Sequence, residues 1–298
     1  MARFRLLVCD LDNTLYDWVS YFVPSFYSMI EAARPILSVD LETLLDEMRE
    51  VHRFHHDSEH PFALLETESV RRSFPDKTYD ETAKLLDPAF HQFNRSRLDT
   101  LRLYDGVLDG LKLLNASGVT LVAHTESKLY GALGRLDQLG IRNLFSSVYC
   151  RERPRYRPGH SDLSDMRFRR YSTDNVVELS HHQRKPSKEV LIEICERQAV
   201  PVSDAAYVGD SIPRDIMMAQ QAGVFAIWAK YGASVSKADY EKLVRISHWS
   251  AADVEREQAL RSLAESVNPD YIANSFKDVV ERVLSGHISA SRSSAVGT

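Results

Sequence analysis

The sequence lacks most features of a secreted, membrane-spanning or nucleic-acid-binding protein. Its 298 residues include three cysteines, Cys9, Cys150 and Cys195, which lie far apart and form no CxxC pair. They indicate neither a disulfide framework nor a thiolate metal site, and they suit a reducing compartment. No apolar run reaches the length of a membrane span, and a strand pattern starts a few residues after Met1, so we expect neither a membrane segment nor a signal peptide. A net charge of -5 disfavours a nucleic-acid partner. We therefore expect a cytoplasmic protein.

The chain does contain enough apolar residues, 44% of the total, to bury a sizeable core. Helical patterns separate most of its strand-like apolar runs, and such alternation is typical of a parallel sheet with helices on both faces. We therefore predict an α/β fold with a doubly wound parallel sheet, whose ligand site lies outside the carboxyl ends of the strands. The five predicted strands are residues 4–10, 119–124, 147–150, 205–209 and 224–228.

Long insertions interrupt this alternation. Residues 16–99 carry four helical patterns, at 21–34, 41–55, 61–74 and 79–98, and no convincing strand. This helical insertion leaves the predicted sheet directly after the first strand, so it could close over that strand end. The other irregular segments are a polar, arginine-rich insertion at 151–184, a helical insertion at 247–267 whose role the sequence does not reveal, and a Ser/Gly/Ala-rich flexible tail at 285–298.

Two carboxylates, Asp10 and Asp12, follow the first predicted strand. Residues i and i+2 of an extended chain point to the same side, so both acids could face one reacting centre. One could act as a nucleophile while the other moves a proton. Because two close anions repel each other, the pair also favours a bound cation.

Polar residues at three further positions fit phosphate chemistry. Thr125 ends the second strand and can donate a hydroxyl hydrogen bond. Lys185 precedes a predicted helix and supplies a compact positive charge. Gly209-Asp210-Ser211 ends the fourth strand, and Asp215 follows five residues after Asp210. Mg²⁺ prefers oxygen ligands, so one or two of these carboxylates would suffice to hold it.

The ordered set of Asp10-x-Asp12-x-Thr14, Thr125, Lys185-Pro186 and Gly209-Asp210-Ser211-x-x-x-Asp215 resembles the four motifs of the haloacid dehalogenase-like (HAD) hydrolases. The resemblance covers residues 1–15, 104–150, 185–233 and 269–284. It implies a Rossmann-like catalytic core at 1–15 and 100–284, with residues 16–99 as a helical C1-type cap.

The resemblance also implies roles for these residues. Asp10 would be the nucleophile and a Mg²⁺ ligand, and Asp12 the general acid/base and a metal ligand through its main-chain carbonyl. Thr125 and Lys185 would bind the phosphoryl group, and Asp210 would hold the metal. The supporting residues would be Thr14, which could instead only cap its loop, Ser211, and Asp215, which could orient Lys185 or only favour the start of its helix.

Histidines cluster near the middle of the helical insertion, at His52, His55, His56 and His60. The i, i+4 spacing of His52 and His56 would suit a metal on one helix face, but no third ligand follows at a recognisable spacing. We therefore favour a solvated or substrate-facing helix end. His55, His56 and His60 are candidate residues for substrate specificity.

Together these features predict a Mg²⁺-dependent phosphomonoester hydrolase that acts on a small phosphorylated metabolite through an aspartyl-phosphate intermediate. Three alternatives stay open: a phosphomutase, a 2-haloacid dehalogenase, and a non-catalytic binding protein that keeps the fold. Neither the substrate nor the oligomeric state can be read from the sequence.

Overall fold

A seven-stranded parallel sheet forms the centre of the molecule. The computed structural model describes residues 4–60, 62–153, 171–234 and 236–285. Within them the strands run in the order β4-β3-β2-β1-β5-β6-β7, and all six neighbouring pairs are parallel. The strands are β1 (Leu6–Cys9), β2 (Thr120–Lys128), β3 (Ser147–Arg151), β4 (Val176–Leu179), β5 (Ala205–Gly209), β6 (Phe225–Ala229) and β7 (Tyr271–Ala273).

Strand β1 lies between β2 and β5, and its last residue, Cys9, is paired with Ala123 and Val208. Apolar clusters cover both faces of the sheet: Leu7 and Cys9 belong to one cluster, and Leu6 and Val8 to the other. A strand buried on both faces has to be apolar throughout, which explains the unbroken apolar run before Asp10. The predicted α/β class and doubly wound parallel sheet are confirmed.

Helices pack on both faces of this sheet. On the first face lie α6 (Val107–Ala116), α7 (Leu129–Gln138) and α12 (Phe276–Leu284), whereas α10 (Lys237–Ile246) packs against the helical insertion. On the second lie α8 (Lys188–Arg197) and α9 (Met217–Gln221), the latter preceded by a π-helical turn at Ile212–Ile216. A further helix, α11 (Ala251–Leu263), forms the predicted insertion at 247–267.

Between β1 and α6 the described chain is helical, as the sequence pattern indicates. Its elements are α1 (Trp18–Leu37), α2 (Leu41–His55), a 3₁₀ turn at Ala63–Glu66, α3 (Glu68–Ser73), α4 (Tyr79–Leu85) and α5 (Asp87–Thr100). Two predicted segments are each divided: 61–74 into the 3₁₀ turn and α3, and 79–98 into α4 and α5. Pro88 accounts for the second break, because proline suits the first turn of a new helix rather than the interior of a continuous one.

The two edge strands were not predicted. Strand β4 lies inside the segment interpreted as a polar insertion, and three of its four residues are only half-buried or exposed. Strand β7 has three residues. Short edge strands bury little apolar surface, so their sequences carry a weak pattern. Half of the arginine-rich insertion, residues 154–170, and the tail at 286–298 lie outside the described residues.

Candidate active site

The carboxylate of Asp10 lies at the carboxyl end of β1, in contact with a buried lysine. Lys185 Nζ is 2.5 Å from Asp10 Oδ1 and 2.8 Å from Asp215 Oδ1. Asp215 also accepts hydrogen bonds from the Tyr207 hydroxyl at 3.1 Å and the Ser211 backbone N–H at 3.1 Å. Burial alone would lower the pKa of Lys185, but the two carboxylates raise it well above its usual range. Lys185 is therefore a cation in contact with two carboxyl groups.

Asp210 completes a group of three carboxylates at this strand edge. One oxygen from each of Asp10, Asp210 and Asp215 lies within 4.8 Å of the others. Burial, together with the charges of Asp10 and Asp215, raises the pKa of the Asp210 carboxyl. Asp10 and Asp210 could each supply an oxygen ligand to a cation, while Asp215 holds Lys185. This donor set fits Mg²⁺, which needs one or two carboxylates and keeps several waters.

Asp12 accepts hydrogen bonds from two side chains of β2. Ser127 Oγ donates to Asp12 Oδ2 at 2.6 Å, and Thr125 Oγ1 donates to the same oxygen at 3.3 Å. Thr125 Oγ1 also accepts the Ser127 backbone N–H at 3.0 Å. Strand β2 continues to Lys128, so Thr125 lies within it rather than at its end as predicted, and its hydroxyl donates to Asp12 in this conformation.

A buried arginine joins Asp12 to the helical insertion. Arg135, on α7, is 1% exposed. Its Nη2 lies 3.3 Å from Asp12 Oδ1, and its Nη1 lies 2.6 Å from Glu59 Oε1. The same guanidinium donates to the hydroxyls of Tyr16 and Tyr21 at 2.9 and 2.8 Å. One side chain thus connects the loop after β1, the catalytic core and the helical insertion.

Glu126, next to Thr125, holds the main chain of the lysine. Its Oε1 accepts the Lys185 backbone N–H at 3.0 Å, while its Oε2 lies 3.6 Å from Arg151 Nη1. From the insertion at 247–267, Arg256 donates to the Lys185 carbonyl at 3.2 Å. Both contacts fix Lys185 from outside the carboxylate group.

Tight packing shapes the loops that carry the acids. Thr14 Oγ1 donates to Asp10 Oδ2 at 3.2 Å, so the threonine contacts the predicted nucleophile as well as shaping its loop. A Cβ placed on Gly232 would lie 1.6 Å from the carbonyl oxygen of Asn13, and one placed on Gly209 would lie 2.4 Å from Asp215 Cγ. Only glycine allows these close approaches.

The candidate specificity histidines have different surroundings. His55 and His60 are buried and contact Glu66, whereas His56 is exposed. His52 is buried as well, so the solvated alternative is wrong for all of these except His56. His60 lines a cavity of about 710 Å³ between the insertion and the core, together with Tyr21, Glu59 and Arg135.

The sequence places Glu126 and Ser127 beside Thr125 at the second predicted strand but assigns them no role, and it does not indicate Arg135, Glu59 or Tyr21 as residues of this site. Two of them leave a signal. Ser127 lies two positions after Thr125, so an extended chain turns both hydroxyls to one side. Arg135 lies among the apolar residues of α7, and an arginine is rarely fully buried unless it is paired. Glu59 and Tyr21 lie in the insertion and leave no such signal, because only the folded chain brings them to Arg135.

Comparisons with known proteins agree with this architecture. The family model described as haloacid dehalogenase-like hydrolase matches residues 4–223, and a second, HAD-hydrolase-like model matches residues 182–279. A phosphoglycolate phosphatase from Agrobacterium fabrum is 25% identical over 83% of this chain and 89% of its own length. A glyceraldehyde 3-phosphate phosphatase from Methanopyrus kandleri is 26% identical over 76% of this chain and 84% of its own.

Solved structures share the fold at lower identity. A 2-haloacid dehalogenase from Pseudomonas syringae superposes with a TM-score of 0.53 at 22% identity, covering 94% of this chain and 97% of the other. A magnesium-bound HAD-hydrolase from Bacillus subtilis gives 0.50 at 16% identity, covering 94% and 99%. The first family model spans well over half of the chain. The chain therefore belongs to the haloacid dehalogenase-like hydrolases, and the prediction of a hydrolytic enzyme of this family is confirmed.

Proposed function

We propose that this protein is a Mg²⁺-dependent phosphomonoester hydrolase that acts on a small phosphorylated metabolite through an aspartyl-phosphate on Asp10. The observation that carries the proposal is the position of the Asp10 carboxylate. It lies at a strand end beside the Lys185 ammonium and close to Asp210, with a second acid two residues along the chain. Phosphoryl transfer requires such a nucleophile together with positive charge for the phosphoryl oxygens.

Each residue of the site would have a different role in the reaction. Asp10 Oδ attacks phosphorus, and the bond to the leaving oxygen breaks as Asp12 donates a proton to it. Asp12 then removes a proton from water, which hydrolyses the aspartyl-phosphate and restores Asp10. Lys185 and Thr125 would bind the phosphoryl oxygens, for which the Thr125 hydroxyl has to turn from Asp12 to the substrate. Asp215 keeps Lys185 in place.

Asp10, Asp210 and the main-chain carbonyl of Asp12 would hold Mg²⁺. When bound, the ion supplies positive charge that offsets the charge of the phosphoryl group and of the nucleophile. Lys185 contacts the carboxylates of both Asp10 and Asp215, so it would supply positive charge beside the ion.

The relatives support a phosphatase that takes small substrates. The two curated relatives carry the names of a phosphoglycolate phosphatase and a glyceraldehyde 3-phosphate phosphatase. We assign residues 1–15 and 100–284 to the catalytic core and residues 16–99 to a cap that excludes bulk water during attack. Residues that line the 710 Å³ cavity, His60 among them, would then set substrate preference.

The test is a phosphate-release assay over a panel of phosphorylated metabolites. We expect turnover with Mg²⁺, loss of turnover after chelation, and recovery when Mg²⁺ is returned. Asp10→Asn should abolish turnover, because an amide is a poor nucleophile and a weaker ligand. Asp204→Asn, at the opposite end of β5 from the site, is the matched control and should retain activity.

Two results would reject the proposal. Full activity of the metal-free protein would exclude the Mg²⁺ requirement. Near-wild-type rates in Asp10→Asn would assign the nucleophile to another residue.

A further inference from the structure

A second set of candidate metal ligands lies inside the helical insertion, apart from the carboxylates at the sheet edge. His55 is the last residue of α2, His60 lies in the following loop, and Glu66 ends the 3₁₀ turn after it. The side chains of His55, Glu66 and His60 are 4%, 1% and 0% exposed. One donor atom from each lies within 4.8 Å of the others. The three residues are referred to below as the His-Glu-His cluster.

The donor atoms of the His-Glu-His cluster converge on one point. His55 Nε2 is 3.0 Å from each carboxylate oxygen of Glu66, and His60 Nε2 is 3.3 Å from Oε1. In a tetrahedral zinc site with ligand distances of about 2.0–2.2 Å, neighbouring donors lie about 3.3–3.6 Å apart. The observed nitrogen-to-oxygen separations, 3.0 and 3.3 Å, are within a few tenths of an ångström of that edge length.

The ring arrangement also suits a shared cation. The two imidazoles stack with centroids 3.5 Å apart and planes inclined by 6°, so both rings present Nε2 to the same carboxylate. His55 Nε2 lies equally far from both Glu66 oxygens, whereas a single N–H···O bond favours one acceptor along its direction. Two stacked rings would also repel each other if both were protonated. Two neutral imidazoles and one carboxylate are a common zinc donor set.

Charge and position complete the argument. Glu66 is the acidic member of the cluster and contacts both imidazoles, so it would supply negative charge to a bound cation. His60 also lines the 710 Å³ cavity, which places the cluster at the cavity wall.

We propose that His55 Nε2, His60 Nε2 and the Glu66 carboxylate bind one divalent transition-metal ion, of which Zn²⁺ is the best fit. This site is independent of the catalytic Mg²⁺ and of the reaction proposed above. Nitrogen donors make it selective for Zn²⁺ over Mg²⁺, whereas the all-oxygen group at Asp10 and Asp210 has the opposite preference. The bound ion would tie the end of α2 to the 3₁₀ turn and fix that wall of the cavity.

The experiment uses the full chain, stripped of metal by a chelator and then returned to millimolar Mg²⁺ so that the carboxylate site is filled. Zn²⁺ is titrated by calorimetry, and Co²⁺ is added separately because its visible absorption reports tetrahedral coordination. We expect one equivalent of Zn²⁺ per chain, and an X-ray absorption spectrum at the zinc edge that contains imidazole scattering.

Variants assign the site. Loss of a hydrogen-bond partner outside the ligand set typically weakens metal binding by roughly 10–100-fold, and loss of a direct ligand should weaken it more. We therefore expect Zn²⁺ affinity to fall by more than that in His60→Ala and in the near-isosteric Glu66→Gln. The matched control is His56→Ala, an exposed histidine beside the cluster that should bind as wild type does. Asp210→Asn should also retain the Zn²⁺ equivalent, which separates this site from the catalytic one.

Three outcomes would overturn the proposal: no Zn²⁺ bound at micromolar concentration, wild-type affinity in Glu66→Gln, or a zinc spectrum without imidazole. If His60→Ala does not fold, the Glu66→Gln titration and the wild-type spectrum still decide.

Discussion

Replacing Arg135 by methionine should destabilise the protein, because the guanidinium is fully buried between two carboxylates. Its side chain is 2% exposed and contacts Glu59 at 2.6 Å and Asp12 at 3.3 Å. Removing one partner of a buried ion pair typically costs about 3–5 kcal/mol, since the remaining charge stays buried without compensation. The hydroxyls of Tyr16 and Tyr21 would lose their donor as well.

The size of the thermal shift follows from the chain length. An unfolding entropy of about 2.1 cal/mol/K per residue over 298 residues gives roughly 0.63 kcal/mol/K. A loss of about 3–5 kcal/mol therefore lowers Tm by roughly 5–8 °C. Calorimetry of wild type and Arg135→Met at one pH and one Mg²⁺ concentration measures this shift.

A double-mutant cycle with Glu59→Gln tests the cause. If the loss of stability comes from a Glu59 charge that no longer has a partner, the double variant should be more stable than the sum of the two single losses implies. The expected coupling energy is about 1–3 kcal/mol. Additive losses, or a loss below about 1 kcal/mol in Arg135→Met alone, would refute the reasoning. Because Ser127 and Thr125 still hold Asp12, Arg135→Met should reduce turnover less than Asp12→Asn does.

Three further predictions follow from the site and its surroundings. Asp12→Asn should slow turnover by about 10²–10⁴-fold on substrates with poor leaving groups, the usual worth of general acid–base catalysis; a change below tenfold in steady-state kinetics would reject that role. Burial lowers the pKa of His52 to about 4, so the unfolded chain binds the proton more readily and stability should fall by about 3 kcal/mol as pH drops from 6.5 to 4. The free energy of unfolding, measured by urea denaturation at several pH values, should depend less on pH in His52→Asn than in wild type. Equal pH dependence in the two proteins would contradict the prediction. Gly232→Ala places a Cβ against the Asn13 carbonyl, so the loop that carries Asp12 must shift; we expect reduced turnover, and unchanged kinetics would show that the loop tolerates the shift.

The central sheet and the acidic group could be predicted because they depend on local pattern and on order along the chain. An apolar run such as 4–10 predicts a strand buried on both faces, and a polar residue at its end predicts a site at the carboxyl edge. The sheet then brings together residues as distant as Asp10 and Lys185, since parallel strands end at the same edge.

The rest depends on tertiary contacts that leave no local pattern. Glu59 and Tyr21 become part of the Arg135 network only because α1 and the loop after α2 pack against α7. Likewise, Glu66 is not at a spacing from His55 or His60 that any sequence motif would mark, and a 3₁₀ turn brings its carboxylate to the two rings. The strands β4 and β7 were missed because each has only three or four residues, of which one is buried, so the apolar pattern is weak.

The position of β1 in the middle of the sheet has a consequence for how the protein is made. Both neighbours of β1 are distant in the chain, and Lys185 follows Asp10 by 175 residues. At a synthesis rate of about 5–20 residues per second, roughly 9–35 s pass between the emergence of the nucleophile and that of its lysine. During this interval β1 has no neighbouring strand on its β5 side. The nascent chain therefore exposes an apolar strand with one unpaired edge. Because β1 pairs with β5 only late and over a long sequence separation, the protein should fold slowly. Its N-terminal strand should need protection by chaperones in the meantime.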